Sequence, residues 1–101
     1  MKIKVLGIGD IVGKPGRQIV KDRLRKYVQD ERIDCVVANC ENSSGGNGIM
    51  PSEADELYAS GCTVLTCGDH VWAKREIIPY IDKHPMLRPA NYPAEQPGRG
   101  A

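Results

Sequence analysis

Lys4-Val5-Leu6-Gly7-Ile8-Gly9 runs into Asp10, Cys35-Val36-Val37-Ala38-Asn39 leads through Cys40 to Glu41-Asn42, and Thr63-Val64-Leu65-Thr66-Cys67-Gly68 runs into Asp69-His70. Each run is rich in β-branched and apolar residues and reads as a buried strand. Each ends on an acid, an amide or an imidazole. If the three runs are neighbouring parallel strands, their polar ends emerge at one edge of one sheet, where open α/β folds place their sites. Oxygen ligands and one imidazole would then meet at one spot, which is the material of a divalent metal site for hydrolysis.

Between these strands the pattern turns helical. Residues 3 to 9 form the first strand, and the segment from Arg17 to Glu31 carries Val20, Leu24, Tyr27 and Val28 at the spacing of one helical face. Lys21, Arg25 and Asp30 are left for solvent, and Pro15 suits the first turn because its missing N–H needs no partner there. Residues 34 to 39 are the second strand. A glycine-rich loop follows, then a helix from Pro51 to about Ser60 that Gly61 ends. Residues 62 to 67 give the third strand, Val71 to Lys83 a third helix, and Met86-Leu87-Arg88 a short final strand. The alternation implies a single α/β unit over residues 1–101, a parallel sheet with flanking helices and right-handed crossovers.

Composition sets the limits. At 101 residues, 41% hydrophobic and 27% charged, the chain can build one core and not two. A net charge of +1 without a cluster of like charges gives no footprint for duplex DNA or an acidic membrane. The apolar runs are too short to span a bilayer and no secretory signal leads the chain, so the expected location is the cytoplasm. Of the 4 cysteines, Cys35 and Cys40 are five positions apart, as are Cys62 and Cys67, so within a strand each pair points to opposite faces. Buried reduced thiols are the reading that follows, although Cys40, beside Glu41, could respond to oxidation.

The first loop, Gly7 to Arg17, misses both common phosphate cradles. Its third glycine stands at position 13 rather than 12, and Gly13-Lys14 is followed by proline. What remains is Asp10 placed for a cation, and a helix start where Lys14 and Arg17 could attract a phosphate oxygen. Asp10 as a plain turn or cap residue is the competing reading. Glu41 can bridge two cations and Asn42 can complete a hard shell, against the alternative of a solvated loop. The sharpest motif is Gly68-Asp69-His70-Val71-Trp72, in which a histidine beside a strand-terminal acid can ligate metal or protonate a leaving oxygen. Trp72 reads as helix packing or a wall of the site. His84 reads as solvent-facing.

Taken together, residues 9 to 17 (GDIVGKPGR), 39 to 48 (NCENSSGGNG), 67 to 72 (CGDHVW), 88 to 93 (RPANYP) and 97 to 100 (PGRG) closely resemble the N-terminal part of the YmdB-like metallophosphoesterases. The resemblance spans essentially the whole chain. It implies the first half of a calcineurin-like phosphoesterase sandwich and a dinuclear centre of iron or manganese. It also implies that metal-activated hydroxide hydrolyses 2′,3′-cyclic nucleotides or related small phosphodiesters. By position, Asp10 and Asn42 resemble ligands of the first metal, Glu41 the bridging ligand, Asp69 a ligand of the second, and His70 the proton donor. Lys14, Arg17 and Asn91 are the expected phosphate contacts. The family usually has asparagine where Asp69 stands and glycine where Cys40 stands. Family members are also more than twice as long, and their later half carries three further histidine ligands; this chain has only His70 and His84. The chain is therefore expected to be part of a longer enzyme, or a non-catalytic fragment or binding module with an incomplete site. In either case its exposed sheet face is expected to drive association, including with a second copy.

Overall fold

Strands and helices alternate along the chain in a computed structural model that describes residues 1–101. The strands are β1 (Val5–Ile8), β2 (Cys35–Asn39), β3 (Val64–Thr66) and β4 (Met86–Leu87). The helices are α1 (Gly13–Glu31), α2 (Pro51–Ser60) and α3 (Ile78–Ile81), the last preceded by a 3-10 turn at Arg75–Ile77. All four strands are parallel and lie in the order β1-β2-β3-β4, with Leu6 opposite Val36, Ala38 opposite Leu65, and Leu65 opposite Met86.

This monotonic order has a geometric consequence. Parallel crossovers are right-handed, so a chain that always steps to the same side lays every connection on the same face of the sheet. Burial follows that rule. Val36, Ala38, Leu65 and Met86 share one core with Leu24 of α1, Ala54 and Leu57 of α2, and Ile77 and Ile81. The opposite face, with Cys35, Val37, Val64 and Thr66, is only half-buried, and Val5 is exposed.

Helix boundaries show which local signals dominate. α1 starts at Gly13, ahead of the periodic segment that begins at Arg17, and Pro15 falls in its first turn as expected. Gly16 permits the early start, since a Cβ there would lie 3.2 Å from Ile11 Cγ2. Val20 and Leu24 are buried as the periodicity requires, but Tyr27 remains largely exposed. Tyr27 instead lines a shallow apolar groove of about 300 Å³ with Leu6, Ile8, Ile19, Val20 and Leu24, beside the outer strand β1. α2 matches its expected limits and ends on Gly61 at φ 124.

The continuous helix expected over Val71–Lys83 does not form. Pro79 has no N–H and is tolerated only in a first turn, so the chain turns through residues 69–74 and restarts as the single-turn α3 with Pro79 near its beginning. His84 also departs from expectation. Rather than facing solvent, it stacks on Tyr80 at 3.6 Å, and its Nδ1–H donates to the Tyr80 carbonyl. No helix is long and apolar enough to cross a membrane.

Candidate metal centre

Every candidate ligand leaves the carboxyl end of a strand, and parallel pairing brings those ends side by side. Asp10 follows β1, Glu41 and Asn42 follow β2, and Asp69 and His70 follow β3. Backbone bonds extend the pairing past the strands, with Ile11 N–H donating to Asn39 O at 3.1 Å and Cys40 N–H to Thr66 O at 2.9 Å. Asp10 sits at φ 23, a conformation that a residue with a side chain rarely adopts. Such strain persists only where the surroundings enforce it, as binding sites commonly do.

Glu41 is the anchor of the cluster. Its side chain is 12% exposed, and its Oε2 accepts the His70 backbone N–H at 3.1 Å. Asn39 Nδ2 donates to Oε1 at 3.3 Å. Gly68 leaves room for the Glu41 carboxylate where it stands, because a Cβ there would lie 2.8 Å from its Cδ and displace it. One ligand atom from each of Glu41, Asp69 and His70 lies within 4.8 Å of the others, which is the separation expected of groups able to share an ion.

A hydrogen-bond chain fixes the remaining members. An ionised carboxylate only accepts, so Asn42 must direct Nδ2 to Asp10 Oδ1, at 2.8 Å, and its Oδ1 then faces His70 Nδ1 at 2.6 Å. That oxygen can only accept, so His70 Nδ1 carries the hydrogen. His70 Nε2 is left directed toward Asp69, 3.9 Å from its Oδ2. Neutral His70 therefore offers an Nε2 lone pair to a cation, and as a proton donor it must be the imidazolium.

The expected phosphate contacts are treated unequally. Lys14 is exposed in the first turn of α1, and Asn91 is exposed in the turn after β4, at the same sheet edge as the acids. Arg17 has partners within the chain. Its guanidinium, 16% exposed, donates to Glu56 at 2.9 Å and the Ser43 carbonyl at 3.0 Å, and pairs with Glu53 at 3.3 Å. It ties α1 to α2 and to the loop after Asn42, and its charge is satisfied there rather than held out for a ligand. Trp72 packs against Tyr92, ring centroids 5.5 Å apart.

Four features escaped the sequence reading: Asn39, Gly68, the partners of Arg17, and a contact between Cys40 and Cys67. The Glu53/Glu56 spacing on one face of α2 was a usable signal for the Arg17 pairing. Cys40 and Cys67 approach across β2 and β3 with Sγ atoms 3.6 Å apart, and all 4 cysteines are free thiols. The bond to Cys67 and burial push the Cys40 thiol far above its ordinary range, while burial pushes Cys62 up to about 11.

A family model described as "YmdB-like protein" matches residues 6–101. The chain belongs to the YmdB-like family. It is 38% identical over 99 residues to the 2′,3′-cyclic-nucleotide 2′-phosphodiesterase of Bacillus subtilis (strain 168), covering 97% of this chain and 38% of that protein. The chain thus spans well under half the length of this relative. Two solved structures superpose with a TM-score of 0.89. One, a hypothetical protein from Thermus thermophilus, is 35% identical and covers 95% of this chain and 37% of its own. The other, titled a novel phosphatase and from Mycoplasma pneumoniae, is 30% identical and covers 97% and 37%. YmdB-like membership and these superpositions agree with the parallel α/β sheet.

Proposed function

We propose that this chain is the N-terminal, metal-holding part of a divalent-metal phosphodiesterase acting on 2′,3′-cyclic nucleotides or related small phosphodiesters. The observation that carries the reading is the convergence of Glu41, Asp69 and His70 within 4.8 Å, beside the Asp10–Asn42 pair, at the carboxyl edge of a parallel sheet. The donors fit a divalent ion such as Mn²⁺ or Fe²⁺, since carboxylates, an amide oxygen and one imidazole suit borderline-hard cations. Asp10, Glu41, Asn42 and Asp69 would hold the metal. A divalent metal held there would supply positive charge against a phosphoryl oxygen and would lower the pKa of a water toward neutral pH.

The chain's own residues account for the rest. His70, oriented by Asn42 and by the Glu41 contact to its backbone, delivers a proton from Nε2 to the departing ribose oxygen. Lys14 and Asn91 steady the phosphate from the first turn of α1 and the turn after β4. Aspartate at position 69 adds a negative charge that tightens cation binding and blunts Lewis acidity. The bare sheet face is the surface through which the chain associates, with the remainder of a longer enzyme or with a second copy.

Titration calorimetry with Mn²⁺ tests the reading. The 101-residue chain is expected to bind the ion weakly, in the range of micromolar or worse, and Glu41→Gln to remove that binding while the fold persists by circular dichroism. In an enzyme carrying the full ligand set, His70→Ala is expected to keep the metal and lose about a hundredfold in rate on 2′,3′-cyclic nucleotides. Mn²⁺ binding that survives Glu41→Gln would remove the basis of the assignment. Metal binding with no turnover in any longer form would favour the non-catalytic module.

A further inference from the structure

Cys40 and Cys67 stand one position beyond the last paired residues of β2 and β3, since Asn39 lies opposite Thr66 and Cys40 N–H bonds to Thr66 O. Side chains alternate along a strand, so Cys40 shares the core-facing side of Ala38, and Cys67 that of Leu65. The two thiols therefore meet on one face, 0% and 9% exposed, with Sγ atoms 3.6 Å apart. Neighbouring strands are about 4.8 Å apart, inside the roughly 4.4–6.8 Å between Cα atoms that a disulfide bridges. Closing the sulfurs to bonding distance requires a shift of about 1.5 Å, shared between two side chains. Cys35 is on the other face of β2, and Cys62 lies at the far end of β3.

We propose that Cys40 and Cys67 form a redox-modification site, a dithiol that hydrogen peroxide converts to a cross-strand disulfide and thiols reduce again. The proposal rests on the placement of the two thiols and not on any metal. Cys67, the less completely buried of the two residues, takes the first step. As its S–O bond forms, the O–O bond of the peroxide breaks, giving a sulfenic acid and one water. Cys40 Sγ then attacks Cys67 Sγ, the S–O bond breaks, and the departing hydroxide leaves as a second water with the Cys40 proton. Two thiols lose two electrons and two protons, and one peroxide becomes two waters. Burial and the mutual hydrogen bond make the pair slow to react, which confines the change to small, strong oxidants.

The consequence is mechanical. Cys40 directly precedes Glu41, and Cys67 precedes Gly68-Asp69-His70, so the bond would clamp together the two strand ends that carry these side chains. The test is hydrogen peroxide applied to the folded chain, read by thiol titration, peptide mapping and the His70 ring resonances. Two of the 4 thiols should be lost and dithiothreitol should return them. The map should give a Cys40–Cys67 linked peptide, and the His70 resonances should shift on oxidation. The Cys35→Ser/Cys62→Ser double variant should behave identically, whereas Cys40→Ser should drive Cys67 on to sulfinic acid without a link. The proposal is overturned by a link to Cys35 or Cys62, by sulfinic or sulfonic acids in the unaltered chain, or by thiols that react only after unfolding. Unchanged His70 resonances in the linked protein would overturn the clamp.

Discussion

On one face of the sheet Val36 is 2% exposed and Ala38, Leu65 and Met86 are 0% exposed, while on the other Val5 is 57% exposed and Cys35, Val37 and Val64 stay half-open. The residue types hardly differ between the two. Continuous apolar strands of this kind are normally covered on both faces, as parallel sheets require. Here a strand order that never reverses puts α1, α2 and α3 on the same side, leaving the other uncovered within these residues. Composition therefore marked the strands as doubly buried, and connectivity alone determined which side this chain buries by itself.

The comparison breaks most readily at adjacent positions. Leu65→Ala should destabilise the chain by about 2–5 kcal/mol, because it opens a cavity in a fully packed core. Val64→Ala, one residue away on the bare face, should cost about 1 kcal/mol or less. Urea midpoints of the two variants measure this directly, and equal losses would mean that the bare face is covered in solution. A smaller effect is expected at the clasp between helices. Arg17→Met leaves Glu53 and Glu56 without their partner and should cost about 1–2 kcal/mol, discounted because Glu56 is partly exposed. Because Arg17 also holds the Ser43 carbonyl, the same variant should loosen the loop after Asn42 in hydrogen exchange.

The smallest effect concerns pH. In the unfolded chain Cys62 loses its proton near its ordinary value of 9.0, and in the folded chain it keeps it to about 11. Between those values the unfolded state binds fewer protons, so stability is fully present below pH 9 and declines as pH rises toward 11. Cys40, Tyr58 and Tyr80, all raised chiefly by burial or by bonds to a neighbour, add in the same direction. Melting temperatures measured from pH 8 to pH 10.5 should fall, and Cys62→Ala should flatten part of the slope.

Much of this was legible in the sequence for local reasons. Each strand carries its own apolar run, and each candidate ligand follows such a run within a few residues, so parallel pairing alone suffices to collect Asp10, Glu41, Asn42, Asp69 and His70 at one edge. Pro51 and Gly61 bracket α2 through backbone preferences that act at single positions. The third helix differs from expectation because the span assigned to it, residues 71–83, contains Pro79, whose missing N–H breaks a helix in its interior.

What the sequence by itself determined is the order of elements and the chemistry at their ends, since propensity, hydrophobic period and turn residues are properties of short segments. The tertiary structure alone decided what those ends touch: Arg17 taken by two carboxylates of α2, Asn42 joining Asp10 to His70, Gly68 making room for Glu41, and Cys40 meeting Cys67. Each of these pairs joins residues distant in the chain. Which distant residues meet depends on strand register and helix placement, and those are set by the packing of the whole core.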